Sequence, residues 1–209
     1  MARSDVQLML DVKAGEDASF ELLLHKYRTP LVNFLYRMVR DSAAAEDLAQ
    51  EVFLRVYRAR KRYAPSAKFT TWLFRIATNL ALNALRDTRY RQGEVSLDRP
   101  GDSTEADRPA LELPDRQPGV EQQLMARHRA EQIRRAIQAL PEKQCVAVLL
   151  HKYQEMDYDQ IARILDCSES ALKSLLFRAY QTLRVELAPL VAAGKTCRTK
   201  ETAREGGRT

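Results

Sequence analysis

The chain has 209 residues, 45% hydrophobic and 30% charged, with a formal net charge of +6; this composition suits a globular protein with one or two modest cores and excludes pervasive disorder. Seven glycines and eight prolines are too few for a collagenous or low-complexity chain, and no apolar run approaches the roughly 18 residues of a bilayer span. The opening MARSDVQLMLDVKAGED has no apolar h-region and carries acids early, so neither a secretory signal nor a transit peptide is expected, and a cytoplasmic location follows.

The charge is segregated along the chain. Residues 1–54 carry six Lys/Arg against nine Asp/Glu (−3), and residues 55–91 carry ten against one (+9). Residues 93–121 carry three against eight (−5), and residues 122–209 fifteen against ten (+5). Two basic blocks separated by an acidic one suggest two polyanion-facing units joined by a segment that does not bind polyanions.

Apolar residues recur at helical spacing on both sides of residues 93–121 and strand-like alternation is absent, so the chain reads as all-α. In the first unit, Phe20, Leu23, Leu24, Tyr27, Leu31, Phe34, Leu35 and Met38 outline one or two helices around Pro30, with Ser19 as a candidate cap. A second helix is predicted over 42–60, capped by Asp41 or Ser42, with Leu48, Val52 and Val56 at i, i+4, i+8. Pro65 breaks the chain, and a third helix is predicted from Thr70 or Thr71 to about Arg91, burying Leu73, Ile76, Ala77, Leu80 and Ala84. Residues 93–121 hold four of the eight prolines and three glycines without a helical period, and read as a flexible acidic linker.

The second unit opens with a helix predicted over 120–140, with Leu124, Ile133 and Ile137 inward and Pro141 as its stop. A helix over 142–153 follows, carrying Val146, Leu149 and Leu150. Asp157, with Gln160 three residues on, forms a capping-box pattern that opens a short helix containing Ile161, Ala162, Ile164 and Leu165. Ser168 caps a final helix with Leu172, Leu176, Ala179 and Leu183 on one face. The expected organisation is a first domain at 1–92, a linker at 93–121, a second domain at 122–190 and a disordered basic tail at 191–209.

The last two helices meet the requirements of a helix-turn-helix: small Ala162 at the crossing, a short polar turn, and Asp166 where the turn favours positive φ. The outward face of the final helix offers Glu169, Lys173, Ser174, Phe177, Arg178, Gln181 and Arg184, side chains that can neutralise phosphates or read base edges. An ordinary αα-hairpin is the alternative. Residues 55–91 interleave Tyr57, Tyr63, Phe69, Trp72, Phe74 and Tyr90 with ten basic residues, the combination that stacks and neutralises single-stranded DNA, although several of these aromatics must belong to the core. Asp47, Gln50, Glu51 and Phe53 place acidic and amide groups beside an aromatic surface expected to be exposed; this is either a solvated face or a docking site for basic residues.

No P-loop, GxSxG, HExxH or ordered acid/base pair is present, so an enzyme is not expected. Cys145, Cys167 and Cys197 form no CxxC pair, and His25, His128 and His151 are scattered, so neither metal nor cofactor is expected.

These constellations, in this order, resemble the extracytoplasmic-function (ECF) sigma factors of the sigma-70 family over residues 20–187. AEDLAQEVFLRVYR resembles region 2.2, with Asp47, Leu48, Gln50, Glu51 and Phe53 matching D-L-x-Q-E-x-F; the resemblance implies docking on the β′ clamp helices of core RNA polymerase. RYAPSAKFTTWLFRIATNLALNALR resembles regions 2.3 and 2.4, with Phe69, Trp72, Leu73, Ile76, Ala77 and Asn79 matching. It implies capture of the non-template strand of the minus-ten element, with a flipped base, by Arg62, Lys68, Phe69, Trp72, Arg75, Asn79, Asn83 and Arg86. Asn83 stands where many relatives carry Asp.

Leu140, Pro141, Tyr158, Ile161, Ala162, Leu165, Lys173, Ser174, Leu176, Arg178 and Ala179 are similar to region 4. The implied roles are binding of duplex minus-thirty-five DNA by Ser168, Glu169, Lys173, Ser174, Phe177, Arg178, Gln181 and Arg184, and contact with the polymerase β flap. Asp166 replaces the usual turn glycine, and Leu175 stands where many relatives have Arg. Two small helical domains are therefore expected, a three- or four-helix region 2 bundle and a region 4 helix-turn-helix. They would form a non-enzymatic, monomeric initiation subunit with core polymerase, promoter DNA and an anti-sigma protein as partners, without membrane insertion. A helix-turn-helix regulator that never joins polymerase is the alternative, and a nuclease would need a carboxylate cluster that is not seen.

Overall fold

The computed structural model describes residues 3–94 and 120–190, and among them the only regular structure is helical. Eight α-helices run in the order α1 (Asp5–Ala14), α2 (Asp17–Val39), α3 (Ser42–Arg58), α4 (Phe69–Glu94), α5 (Val120–Gln138), α6 (Glu142–Tyr153), α7 (Tyr158–Leu165) and α8 (Glu169–Glu186), with a 3₁₀ turn at Arg60–Arg62. Most of the linker predicted over 93–121 and all of the tail predicted over 191–209 lie outside the described residues.

Local chemistry sets several helix ends. The Asp41 carboxylate accepts from the Ala44 amide at the start of α3, as the cap assignment required. Asp157 and Gln160 form the full capping box of α7, and Ser168 caps α8. Ser19 is not a cap: α2 begins at Asp17, and Ser19 is buried one turn inside it. α2 runs through Pro30 as one helix. The missing N–H and ring clash cost about 3 kcal/mol in a helix interior, which the burial of Tyr27, Leu31, Phe34 and Leu35 on either side offsets.

The first helix was not among the predicted elements. Ser4 caps α1, Gly15 ends it at φ 105°, and Leu8, Met9 and Val12 are buried. Its Asp5 accepts hydrogen bonds from Lys26 (2.6 Å) and from the Tyr27 phenol. Burial, and then the Asp5 contact, push the Tyr27 phenol well above its ordinary range.

α1–α4 enclose a core in which Phe34 meets Phe74 edge-on at 5.2 Å; truncating a fully buried phenylalanine of this kind to alanine costs about 3–5 kcal/mol. In the second half, residues 145–150 of α6 are all buried. A helix apolar on every side must be covered on every side. α5, α7 and α8 cover one part of α6 and α2 another, so the two halves share a continuous core and α7 lies against α4. On α5, Ile137 is buried as expected, but Leu124 is 68% exposed and Ile133 also faces outward. The buried side chains described on α5 are Ala136 and Ile137, near its C-terminal end.

Candidate polymerase and nucleic-acid interfaces

The first face is a groove of about 500 Å³ between α2 and α3. Phe20, Leu24, Phe53 and Leu54 supply an apolar lining, and the acids Glu21 and Glu46 are among its other residues. Phe53 is not the exposed aromatic expected from the sequence. It is 6% exposed and meets Phe20 edge-on at 6.3 Å, so only its rim contributes to the groove. Asp47 and Gln50 are exposed and Leu48 is half-buried. Arg55 donates to Glu51 at 2.7 Å and holds that carboxyl below its ordinary range. Sequence reasoning missed Leu24 and Leu54, whose visible signal is an apolar side chain on the outward face of an amphipathic helix. An apolar groove with acids beside it fits a helix that presents an apolar ridge flanked by basic side chains.

The second face runs along α4. Lys68, Trp72, Arg75, Asn79, Asn83 and Arg86 follow one another at intervals of four, three, four, four and three residues, a spacing that places them on a single stripe. All except Trp72 are exposed; Trp72 is half-buried against Tyr63 (5.1 Å) and Phe69 (6.1 Å). Phe69 itself is only 1% exposed and packs on Tyr27, so it supports Trp72 from below instead of facing a ligand. Arg62 reaches the same region from the 3₁₀ turn, and α1 braces that loop, because Lys13 donates to the Tyr63 carbonyl at 2.8 Å. Tyr63, Trp72, Arg62 and Arg75 line a cavity of about 540 Å³ that Arg163 and Asp166 of the second half also line.

The third face is α8. Ser168, Glu169, Lys173, Ser174, Phe177, Arg178, Gln181 and Arg184 are all exposed, while Leu172, Leu176, Ala179 and Leu183 are buried, so the inward and outward assignments agree with the structure. Four members are engaged locally: the Ser168 hydroxyl caps α8, Ser174 donates back to the Ser170 carbonyl, and Lys173 pairs with Glu169 at 3.8 Å. Phe177 is 65% exposed, a large apolar surface on an otherwise polar face. The turn before α8 holds Asp166 at φ 52°, the left-handed conformation for which glycine is usual. Ala162 is buried in α7.

Among the described residues no group of three or more His, Cys, Asp or Glu could hold a metal ion, and no helix is long and apolar enough to cross a membrane. Burial pushes the Cys145 thiol up to about 11, which leaves it protonated and unreactive at neutral pH.

The stretches of chain that carry these faces match two protein-family models. The Sigma-70 region 2 profile matches residues 23–91 and the Sigma-70 region 4 profile matches residues 130–183. The RNA polymerase sigma-H factor of Pseudomonas aeruginosa is 32% identical over 194 residues, covering 90% of this chain and 95% of that protein. The ECF RNA polymerase sigma-E factor of Escherichia coli K12 is 30% identical over 189 residues, covering 90% and 96%. Among solved structures, CnrH in complex with the cytosolic domain of CnrY superposes with a TM-score of 0.63 at 18% identity, covering 87% of this chain and 96% of that one. The sigma factor RpoE of Bartonella quintana, solved with the anti-sigma factor NepR, gives 0.60 at 21% identity, covering 81% and 96%. At such identities these two structures speak for the fold.

Proposed function

The chain belongs to the extracytoplasmic-function sigma factors of the sigma-70 family and serves transcription initiation by RNA polymerase; we propose that its three faces divide that work. The α2/α3 groove with Asp47, Leu48, Gln50, Glu51 and the rim of Phe53 docks on the β′ clamp helices. The α4 stripe with Arg62 captures the non-template strand of the minus-ten element, Trp72 supplying the stacking surface and Lys68, Arg75 and Arg86 the phosphate contacts. α8 enters the major groove at the minus-thirty-five element, with region 4 also meeting the β flap.

Residues 1–92 form the region 2 domain, 122–190 the region 4 domain, and 93–121 the connection threaded through the polymerase. In this role the protein is a non-catalytic subunit working in the cytoplasm beside core polymerase. The observation that carries the reading is the α4 stripe, because a basic row centred on a half-buried tryptophan suits unpaired bases better than a duplex. An anti-sigma protein is a further partner, supported by the Bartonella quintana sigma factor RpoE having been solved with the anti-sigma factor NepR. A regulator acting without polymerase is not favoured, since it would leave the α2/α3 groove without a use.

The test is run-off transcription with core polymerase on promoters selected from genomic DNA. Wild-type protein is expected to give discrete start sites. Trp72→Ala should still co-purify with core but lose open-complex formation, read as permanganate reactivity of unpaired thymines, by at least tenfold. Equal loss of core binding and melting would reduce Trp72 to a packing residue. Absence of any specific transcript from well-folded protein would refute the proposal.

A further inference from the structure

α1 ends before residue 23, where the region 2 match begins, so the family match assigns it no part in binding polymerase or DNA. Its two ends nevertheless reach both rings that flank Trp72. At the C-terminal end the Lys13 ammonium donates to the Tyr63 carbonyl, 50 residues along the chain, at 2.8 Å. The Tyr63 ring is 4% exposed and lies 5.1 Å from the Trp72 ring. At the N-terminal end Asp5 accepts from the Tyr27 phenol. The Tyr27 ring packs at 5.4 Å on Phe69, which in turn lies 6.1 Å from Trp72. Between these ends, buried Leu8, Met9 and Val12 fix α1 to the core.

The Tyr63 side is the one that needs holding. Phe69 opens α4 and is fixed by that helix, whereas Tyr63 follows the 3₁₀ turn and begins a loop in which Ala64, Pro65 and Ser66 are exposed. Among the described residues, the other hydrogen bonds of residues 63–67 are from the Tyr63 amide to the Arg60 carbonyl (3.2 Å), from the Ser66 amide to the Ala64 carbonyl (2.8 Å) and from Arg163 to the Ser66 carbonyl (3.5 Å). The first two are local and the third is long. The Tyr63 hydroxyl is buried without a partner, so its ring is held by packing. A charged donor makes a stronger tie than a neutral one, and Lys13 lies in the last turn of α1, where the helix dipole favours a cation.

We propose that Lys13 is a positioning residue for minus-ten capture: α1 clamps the Tyr63 end of the loop and thereby keeps the Tyr63 ring against Trp72, holding the indole at the angle at which its free side meets an unpaired base. This rests on the assignment of the α4 stripe above. Without the clamp the loop samples more conformations, which strand binding must then order. Capture weakens while the polymerase groove and the phosphate contacts are untouched.

Trp72 is the single tryptophan of the chain, so its emission reports the platform directly. Three full-length variants test the role. Lys13→Met keeps the side-chain length and removes the donor, and Lys13→Arg restores a charged donor. Arg3→Met removes an equal charge from an exposed residue that pairs with Asp11 and Glu16. In the free chain, Lys13→Met should shift the emission to the red and make it more accessible to acrylamide, whereas Lys13→Arg and Arg3→Met should leave it unchanged. Each variant is then assembled into holoenzyme and titrated by fluorescence anisotropy with a labelled non-template single strand from a promoter mapped by run-off transcription. Lys13→Met should bind that strand about fivefold more weakly, with Lys13→Arg within about twofold of the unaltered protein. Co-purification with core polymerase should not change.

Salt separates positioning from direct contact. The slope of log affinity against log salt should equal that of the unaltered protein, because losing one phosphate contact to a single strand would lower it by about 0.7. A slope lowered by that amount would make Lys13 a phosphate contact and overturn the positioning role. Indistinguishable behaviour of Lys13→Met and Arg3→Met would overturn it as well. Trp72→Ala holoenzyme, titrated alongside, tests the underlying assignment. If it binds the strand as tightly as the unaltered protein, both readings fall; if it loses binding while Lys13→Met does not, only the role of Lys13 falls.

Discussion

Asp157 performs two separable jobs, and one variant series distinguishes them. Its Oδ1 accepts from the Gln160 amide at 2.8 Å, closing the capping box of α7, and its Oδ2 meets Lys68 at 3.3 Å. Removing a cap of this type costs about 1 kcal/mol. The ion pair is worth at most about 0.5 kcal/mol, because both side chains are more than half exposed and solvent screens them. Asp157→Ala should therefore lose about 1.5 kcal/mol and Lys68→Ala about 0.5 or less; in a structured body of this size each kcal/mol lowers the melting temperature by about 2–4 °C. Asp157→Asn keeps a capping oxygen without the charge, so it should behave like Lys68→Ala.

The same carboxyl gives a pH signature. The Gln160 amide, and secondarily Lys68, hold it below the ordinary aspartate range. Its stabilising contribution is thus complete above the ordinary aspartate value and lost as pH falls through the lower native one. The gap between wild type and Asp157→Ala should close in that acidic window while Asp157→Asn retains its cap. Thermal unfolding followed by far-ultraviolet circular dichroism at neutral and acidic pH measures all of this. Asp157→Asn proving as unstable as Asp157→Ala at neutral pH would refute the division between cap and charge.

Two further expectations concern the helix-turn-helix. Asp166→Gly relieves a Cβ from the left-handed region but frees the unfolded chain, so urea midpoints should show stability unchanged or raised by up to about 1 kcal/mol; Asp166→Ala should lose about 1 kcal/mol, and a clear loss in the glycine variant would show that the Asp166 side chain is needed in place. His151 Nδ1 lies 2.8 Å from the Tyr180 hydroxyl, and burial followed by Lys152 lowers its pKa. The unfolded chain then binds the proton more readily, so this site loses stability as pH falls from the ordinary histidine value through the native one; His151→Gln should flatten urea midpoints between pH 7.5 and 5 by removing that contribution.

What was legible in the sequence follows its local physics. Asp41, Asp157 with Gln160, and Ser168 were readable as caps because a cap is decided within four residues. Asp166 was readable as a left-handed turn for the same reason. α1 was passed over although Ser4 and Gly15 bracket it, because its ten residues carry only three buried side chains and its stability comes from Asp5 and Lys13 reaching residues 21 to 50 positions away. Phe53 and Phe69 carried the right motif and the wrong exposure: periodicity identifies a face but not how deep a large ring sinks once Phe20 and Tyr27 close over it.

By itself the sequence determined an all-helical chain with a basic aromatic block, a helix-turn-helix and an acidic stretch between them, because caps, period and charge are properties of neighbouring residues. Only the tertiary structure decided that residues 145–150 of α6 are covered on every side, that Leu24 and Leu54 help to line a groove, and that α7 rests on α4. Contacts such as Gln160 with Thr71 join residues 89 positions apart. They depend on the packing of whole faces, which no local pattern encodes.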